Sequence, residues 1–266
     1  MSAPVLLSQV ESRVAVLRLN RPGALNALTP ALLRALSEAL ERAEADPEVG
    51  AILLVAEGRA FCAGADLADA EAQPPRDATG RPDLGAALEQ GYNPLVQRMQ
   101  QLRKPIVAAV QGIAAGAGAS LALMADLTVA ARSASFLQAF VNIGLIPDAG
   151  GTWILPRMAG RQRAMGMAML GERLSAETAR DWGLIWAVVE DDMLQTEAMA
   201  LAARLARGPT VALGHIKAAL TAAADNSLET QLADEVIRQR ACGHTQDFAE
   251  GVAAFLQKRP AVFKGR

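Results

Sequence analysis

Between Leu127 and Gly171 the chain carries one carboxylate, Asp148, inside the turn Gly144-Leu145-Ile146-Pro147-Asp148-Ala149-Gly150-Gly151-Thr152, with apolar residues on both sides. An acid held among apolar groups loses hydration of its charged form, so its pKa rises and it can take and return a proton near neutral pH. An Asp after Pro is also an ordinary turn former, and this segment alone leaves both roles open. Backbone donors come from two other segments. In Gly116-Ala117-Gly118-Ala119-Ser120-Leu121, small residues open a helical pattern that continues through Leu121 and Leu123, which leaves first-turn N–H groups facing outward. The segment begins like a dinucleotide fingerprint, but Leu121 stands where the third glycine belongs, which speaks against that cofactor. Ala65, just after Gly64, presents a second amide. Two converging amides stabilise the anionic oxygen of an enolate more than the neutral carbonyl it came from, by about 3 kcal/mol per donor.

These groups need elements that bring them together. Ala51 to Ala56 reads as a buried strand that empties into Glu57 to Leu67, and Ile106 to Val110 reads as another that empties into Gln111 to Ser120. In an open α/β sheet ligands bind beyond the carboxyl ends of strands, so the two exits form two walls of one site. Val5 to Val10 and Val14 to Leu19 read as a hairpin, and Thr29-Pro30 caps a helix that runs to about Asp46-Pro47. Ala68 to Gly85, rich in Pro, Asp, Gly and Ala, reads as a mobile loop long enough to act as a lid. From about Ser175 the pattern is helical apart from Ile185 to Val189, with breaks at Gly208-Pro209 and Asp225-Asn226-Ser227.

The 266 residues are 52% apolar and 20% charged, the composition of a packed soluble protein with ample core. With 26 basic against 28 acidic residues there is no basic footprint for nucleic acid. No apolar run is long enough to span a membrane, and the N-terminus lacks the pattern of a secretion signal. Cys62 and Cys242 show no metal or redox spacing, so they read as apolar fillers in a reducing, cytoplasmic protein. His215 and His244 have no partner at ligand spacing and read as ordinary surface or capping residues; no metal site is expected.

Phe61-Cys62-Ala63-Gly64-Ala65-Asp66-Leu67, then Gly112-Ile113-Ala114-Ala115-Gly116-Ala117-Gly118, then Gly144 to Thr152 follow one another in an order and spacing that resemble the crotonase (enoyl-CoA hydratase/isomerase) superfamily. The resemblance extends from Asn20-Arg21-Pro22 to Glu250 through Arg259. It implies a spiral of ββα units over residues 1–200, a C-terminal helical trimerisation region over 201–266, and a homo-trimer or a hexamer built from two trimers. It also implies an acyl-CoA thioester substrate, with no cofactor beyond the coenzyme A that the substrate carries. The thioester carbonyl would sit between the amides of Ala65 and Ala117, with Asp148 as proton carrier, in the position where isomerase members of the family hold their working carboxylate. Hydratases of the family place acids where this chain has Ser120 and Phe140, so simple hydration is disfavoured. Ala63, Gly64, Asp66, Leu67, Gly116, Gly118, Ser120, Phe140 and Tyr92 are the expected substrate-binding residues. Asp66 reads equally well as a helix cap, and Tyr92 as a core aromatic. Arg59, Lys104, Lys258 and Lys264 are candidates for the CoA phosphates, with solvated surface charge as the stronger default.

Pro82-Asp83-Leu84-Gly85, Tyr92 to Val96, Gly150 to Trp153 and Arg161 to Gly171 are similar to a branch of the family that rearranges ring epoxides of aromatic acyl-CoA thioesters. The expected activity is therefore an isomerisation that opens a strained epoxide or shifts an enoyl double bond. The rival expectations are a fatty 3-enoyl-CoA isomerase, a hydratase-like enzyme, or a catalytically silent acyl-CoA-binding scaffold.

Overall fold

The computed structural model of the protein describes residues 3–69 and 73–266. Strands β1 (Leu6–Glu11) and β2 (Val14–Leu19) form an antiparallel hairpin turned by Ser12 and Arg13, both at positive φ, as a two-residue turn matched to strand twist requires. Helix α1 (Pro30–Ala45) starts where Thr29 accepts the Leu32 N–H, and it buries Leu32, Leu33, Leu36 and Leu40 on the sheet side. Strand β3 (Ala51–Ala56) follows. Helix α2 (Leu84–Ala87), capped by Asp83, then runs through a π-helical segment, Leu88–Tyr92, into α3 (Asn93–Gln101).

Strands β4 (Ile106–Val110) and β5 (Ile113–Ala115) lead into α4 (Ala117–Leu123), and β6 (Leu127–Ala131) and β7 (Ser135–Leu137) lead into a 3-10 turn, Ala139–Ile143. Helices α5 (Gly151–Ala159) and α6 (Arg161–Leu170), strand β8 (Arg173–Ser175), helix α7 (Ala176–Asp181) and strand β9 (Ala187–Val189) come next. Helices α8 (Leu194–Ala206), α9 (Thr210–Ala223), α10 (Leu228–Gly243) and α11 (Gln246–Leu256) complete the order.

Among the described residues two sheets form. The larger has the order β1-β2-β3-β4-β6-β9, parallel from β2 onward; the smaller has the order β5-β7-β8. Bridges from Leu28 to Ala65 and from Cys62 to Ala114 extend the smaller layer. Successive turns of chain thus lay one strand in the large sheet, then a short strand or bridge in the small layer, and then a helix. This is the ββα spiral. Strands β3 and β4 are buried along their whole length, which explains their unbroken apolar sequence.

Three expectations shift. The loop expected over Ala68 to Gly85 ends at Leu84, because the Asp83 side chain accepts the Ala86 N–H and starts a helix there; its residues 70–72 lie outside the described residues. The Ile185 to Val189 run is strand only at Ala187–Val189. Residue 200 falls inside α8, whose Ala198, Ala202 and Ala206 are buried where the helix packs on β2, β3, β4 and β6. The helices that leave the sheet begin after Gly208-Pro209. No helix of the described residues is long and apolar enough to cross a membrane.

Candidate active site

Ala65 and Ala117 lie just beyond the exits of neighbouring strands, β3 and β4. Leu28 donates its N–H to the Gly64 carbonyl at 2.7 Å and accepts the Asp66 N–H at 2.9 Å, which turns the Ala65 N–H to the opposite side. Ala117 is the first residue of α4, where an N–H has no intrahelical acceptor. Neither amide meets an acceptor among the described residues. The two loops touch. Gly64 has φ +96°, and a Cβ there would stand 3.0 Å from the Ala115 carbonyl oxygen and 3.7 Å from Gly116 Cα, so only glycine permits this approach.

The Ala65 loop is held from behind. Asn26, fully buried at φ +55°, accepts the Arg21 N–H and donates to the carbonyls of Glu57 and Ala60. The Arg21 guanidinium pairs with Asp66 at 2.9 Å, and Asp66 also accepts the N–H groups of Ala68 and Asp69. Burial works against the Asp66 charge, but the Arg21 hydrogen bond and the turn amides outweigh it and hold the carboxyl below its ordinary pKa.

Asp148 follows the 3-10 turn and precedes α5. Its carbonyl accepts the Gly151 N–H at 2.8 Å, and the buried Ala149 is held at φ +48°, a left-handed conformation that costs a non-glycine residue about 1 kcal/mol. Asp148 Oδ1 is buried without a hydrogen-bond partner among the described residues. Burial, opposed by its own backbone amide, pushes the carboxyl up to about 6. Tyr92, on the π-helical segment, is half-buried; burial, and then the charge of Asp148, hold its phenol above its ordinary pKa.

This loop docks on α4. A Cβ at Gly151 would stand 2.9 Å from Ser120 Oγ and 3.2 Å from Pro147 Cβ, and Ser120 lies one helical turn after Ala117. A Cβ at Gly116 would meet the Phe140 ring at 3.7 Å. Asp148, Tyr92, Ser120 and Phe140 therefore gather on the side of the spiral where Gly64 and Gly116 bring the two amides together. A buried acid poised near neutral pH, on a loop that docks on the helix whose first N–H is unspent, is the kind of group that can move a proton near a polarised carbonyl.

Other expected residues have different work. Gly118 packs on Cys62, where a Cβ would stand 2.6 Å from both the carbonyl oxygen and Sγ. Burial pushes the Cys62 thiol up to about 12, so it remains the neutral filler its sequence context implies. The Asp66 carboxylate is occupied by Arg21 and its own turn, Ala63 donates its N–H to the Leu25 carbonyl, and Leu67 is 66% exposed. Ser120 is fully buried, with Oγ 3.4 Å from the Gly116 carbonyl.

Lys104 is a correction. It is neither a solvated surface charge nor free for a phosphate: 8% exposed, its Nζ donates to the carbonyls of Ala43 and Asp46 at the end of α1. Arg59, Lys258 and Lys264 are exposed. Sequence reasoning passed over Gln138, which is fully buried with neither end of its amide partnered among the described residues, and whose Oε1 would lie 3.6 Å from a Cβ at Gly151. Nothing in the local sequence marks it. Among the described residues no group of three His, Cys, Asp or Glu stands close enough to hold a metal ion.

Residues 9–266 match the family model described as enoyl-CoA hydratase/isomerase. The chain is 51% identical to 1,2-epoxyphenylacetyl-CoA isomerase of Escherichia coli strain K12 over 261 residues, covering 98% of each chain. It is 38% identical to 2,3-dehydroadipyl-CoA hydratase of the same organism, covering 98% of this chain and 99% of the relative. A crystal structure of an enoyl-CoA hydratase from Polaromonas sp. JS666 superposes with a TM-score of 0.90 at 37% identity, covering 97% of this chain and 99% of the other. The fold of that hydratase matches this chain over nearly its whole length. The chain belongs to the enoyl-CoA hydratase/isomerase family and has the crotonase fold.

Proposed function

We propose that this chain is an acyl-CoA isomerase in which the amides of Ala65 and Ala117 hold the thioester oxygen and Asp148 carries a proton between two carbons of the acyl group. The observation that carries the reading is the Asp148 carboxyl, poised at about 6 by burial and lacking a hydrogen-bond partner for Oδ1. As carboxylate it removes a proton from the carbon next to the thioester carbonyl. The electron pair moves onto the thioester oxygen, where the two amides stabilise it. The protonated Asp148 then returns the proton farther along the conjugated system. One proton leaves and one arrives, so the product is an isomer.

The proposed substrate is ring-1,2-epoxyphenylacetyl-CoA, rearranged to oxepin-CoA in aromatic catabolism as the carbon–carbon bond shared by the epoxide and the six-membered ring breaks and its electrons enter the conjugated system, both C–O bonds being kept, with the β,γ to α,β shift of an enoyl-CoA double bond as a second reaction of the same site. Support comes from the 51% identity to the Escherichia coli isomerase. Ser120 and Phe140, both buried and neither an acid, occupy the positions at which the family resemblance implies the acids of the hydratases. We propose a cytoplasmic homo-trimer or a dimer of trimers as the assembly. Its support is the apolar surface of the last helices, with Leu220 on α9 at 70% and Phe255 on α11 at 82% exposure.

The test is to incubate the purified protein with the ring epoxide and with straight-chain 3-enoyl-CoA thioesters in deuterated water, and to locate product and label. Turnover is expected, with deuterium at the distal carbon only to the extent that protonated Asp148 exchanges with solvent before it returns the proton, and Asp148→Asn is expected to slow it by about 10²-fold or more while binding the thioester. Equal rates in the two proteins would remove Asp148 from the reaction. Conversion of straight-chain substrates alone would leave a fatty enoyl-CoA isomerase.

A further inference from the structure

A cavity of about 700 Å³ opens at the edge of the large sheet where β2, β3 and β4 begin, the edge opposite Ala65 and Ala117. Strand β3 separates the two places by six residues, which is about 20 Å. Arg13, Arg103, Lys104, Arg238, Lys264 and Arg266 line it, against Glu44 and Glu48. The chain as a whole has 26 basic and 28 acidic residues; without these it would have 20 and 26, so the cavity concentrates positive charge on an otherwise acidic molecule.

Three of those cations are occupied: Lys104 by the α1 carbonyls, Arg103 by Glu44 at 2.7 Å and Arg238 by Asp234 at 2.5 Å. Arg13, Lys264 and Arg266 make no side-chain hydrogen bond or ion pair among the described residues, and Arg13 Nε is buried without a partner. The tail that supplies two of them is fastened. The buried Asp247 carboxylate accepts the N–H groups of Lys264 and Gly265 at 2.7 and 2.8 Å, and the Asp247 N–H donates to the Arg266 carbonyl at 3.2 Å. A Cβ at Gly265 would stand 3.0 Å from Thr210 Oγ1 and 3.5 Å from Arg13 Nη2, so tail, turn and helix converge. Helix α9 opens into the cavity with Thr210 and Val211; no side chain caps its amino end and no acid occupies its first turn. Its dipole adds to the free cations.

We propose that this cavity is a second ligand site, separate from the thioester site, that binds a small phosphorylated molecule. The phosphate lies against Arg13, Lys264 and the amino end of α9, and the organic part lies along Val49, Val211 and Ala218. The volume suits a small organic ligand. Arginine and a helix amino end recognise phosphate through charge-assisted hydrogen bonds. The binding claim stands whether or not the chain isomerises a thioester.

The test uses the full-length protein with inorganic pyrophosphate as probe, followed by titration calorimetry. Wild type and Asp148→Asn are expected to bind it alike, about one per chain. Arg13→Ala and Lys264→Glu are expected to bind at least about tenfold more weakly. Lys264 is exposed, so Lys264→Glu keeps the test open if Arg13→Ala fails to fold, and thermal melts identify folded protein. No binding to wild type, or undiminished binding to folded Lys264→Glu, overturns the proposal. The KM of Arg266→Glu, at another cation of the cavity, for a thioester substrate is expected to be unchanged. A tenfold rise would assign the cavity to the phosphates of a CoA thioester bound across a subunit contact and would overturn the separate site.

Discussion

At the scale of single residues, the burial of Asp148 costs stability at neutral pH. Its carboxyl ionises at about 6 in the folded chain against an ordinary value of 3.8. Below about pH 4 the group is neutral in both folded and unfolded states and costs nothing. As pH rises through 6 the unfolded chain ionises first, so stability falls, and above 6 the penalty is constant. Asp148→Asn is therefore expected to be more stable than wild type by about 1–3 kcal/mol at pH 8, with the gain shrinking to nothing near pH 4; urea unfolding at the two pH values measures it. With the carboxylate as the proposed base, kcat/KM of the wild type is expected to fall tenfold per pH unit below about pH 6, a limb that a rate profile reads directly. Ala149 adds backbone strain beside it: Ala149→Gly should relieve φ +48° and stabilise the fold by about 0.5–1 kcal/mol, measured by the same unfolding.

At the scale of elements, the site is a product of how two strand exits meet. Strands β3 and β4 run parallel and side by side, so the segments that follow them arrive together. Gly64 against Ala115 and Gly118 against Cys62 then close the gap to backbone contact. Adding one methyl group at Gly118 puts a Cβ 2.6 Å from the Cys62 carbonyl, an atom that cannot swing away. Gly118→Ala is expected to destabilise the protein by about 1–3 kcal/mol and to weaken thioester binding, because α4 must shift and takes the Ala117 amide with it; denaturant titration and KM report the two effects. The π-helical segment that carries Tyr92 is a further local departure facing the same region, as such segments often are at functional sites.

At the scale of the molecule, the chain is unevenly finished. Strands β3 and β4 at the centre of the spiral are buried throughout, whereas the last helices leave Leu220, Leu228, Phe255 and Leu256 largely exposed. Apolar surface of this extent is what a contact face between subunits presents, in line with the proposed assembly. In the proposed assembly, Leu220→Asp combined with Phe255→Asp should lower the mass seen by light scattering towards that of a single chain, with the folded spectrum retained. A wild type that already scatters as a single chain at micromolar concentration would refute the trimer.

Much of this was written locally in the chain. The Ser12-Arg13 hairpin, the Thr29 cap, the buried runs of β3 and β4 and the opening of α4 depend on near neighbours in sequence, so periodicity, caps and glycine placement were enough to read them. The ordered motifs around Ala65, Ala117 and Asp148 pointed to the family for the same reason. Strands of three residues, β5, β7 and β8, are too short for alternation to show and exist because longer strands align them. That Asp148 is buried enough to titrate near 6, that Lys104 caps α1, that Gln138 is sealed in and that six cations share one cavity all depend on residues far away in sequence. Desolvation and charge act through space, and only the folded chain sets those distances.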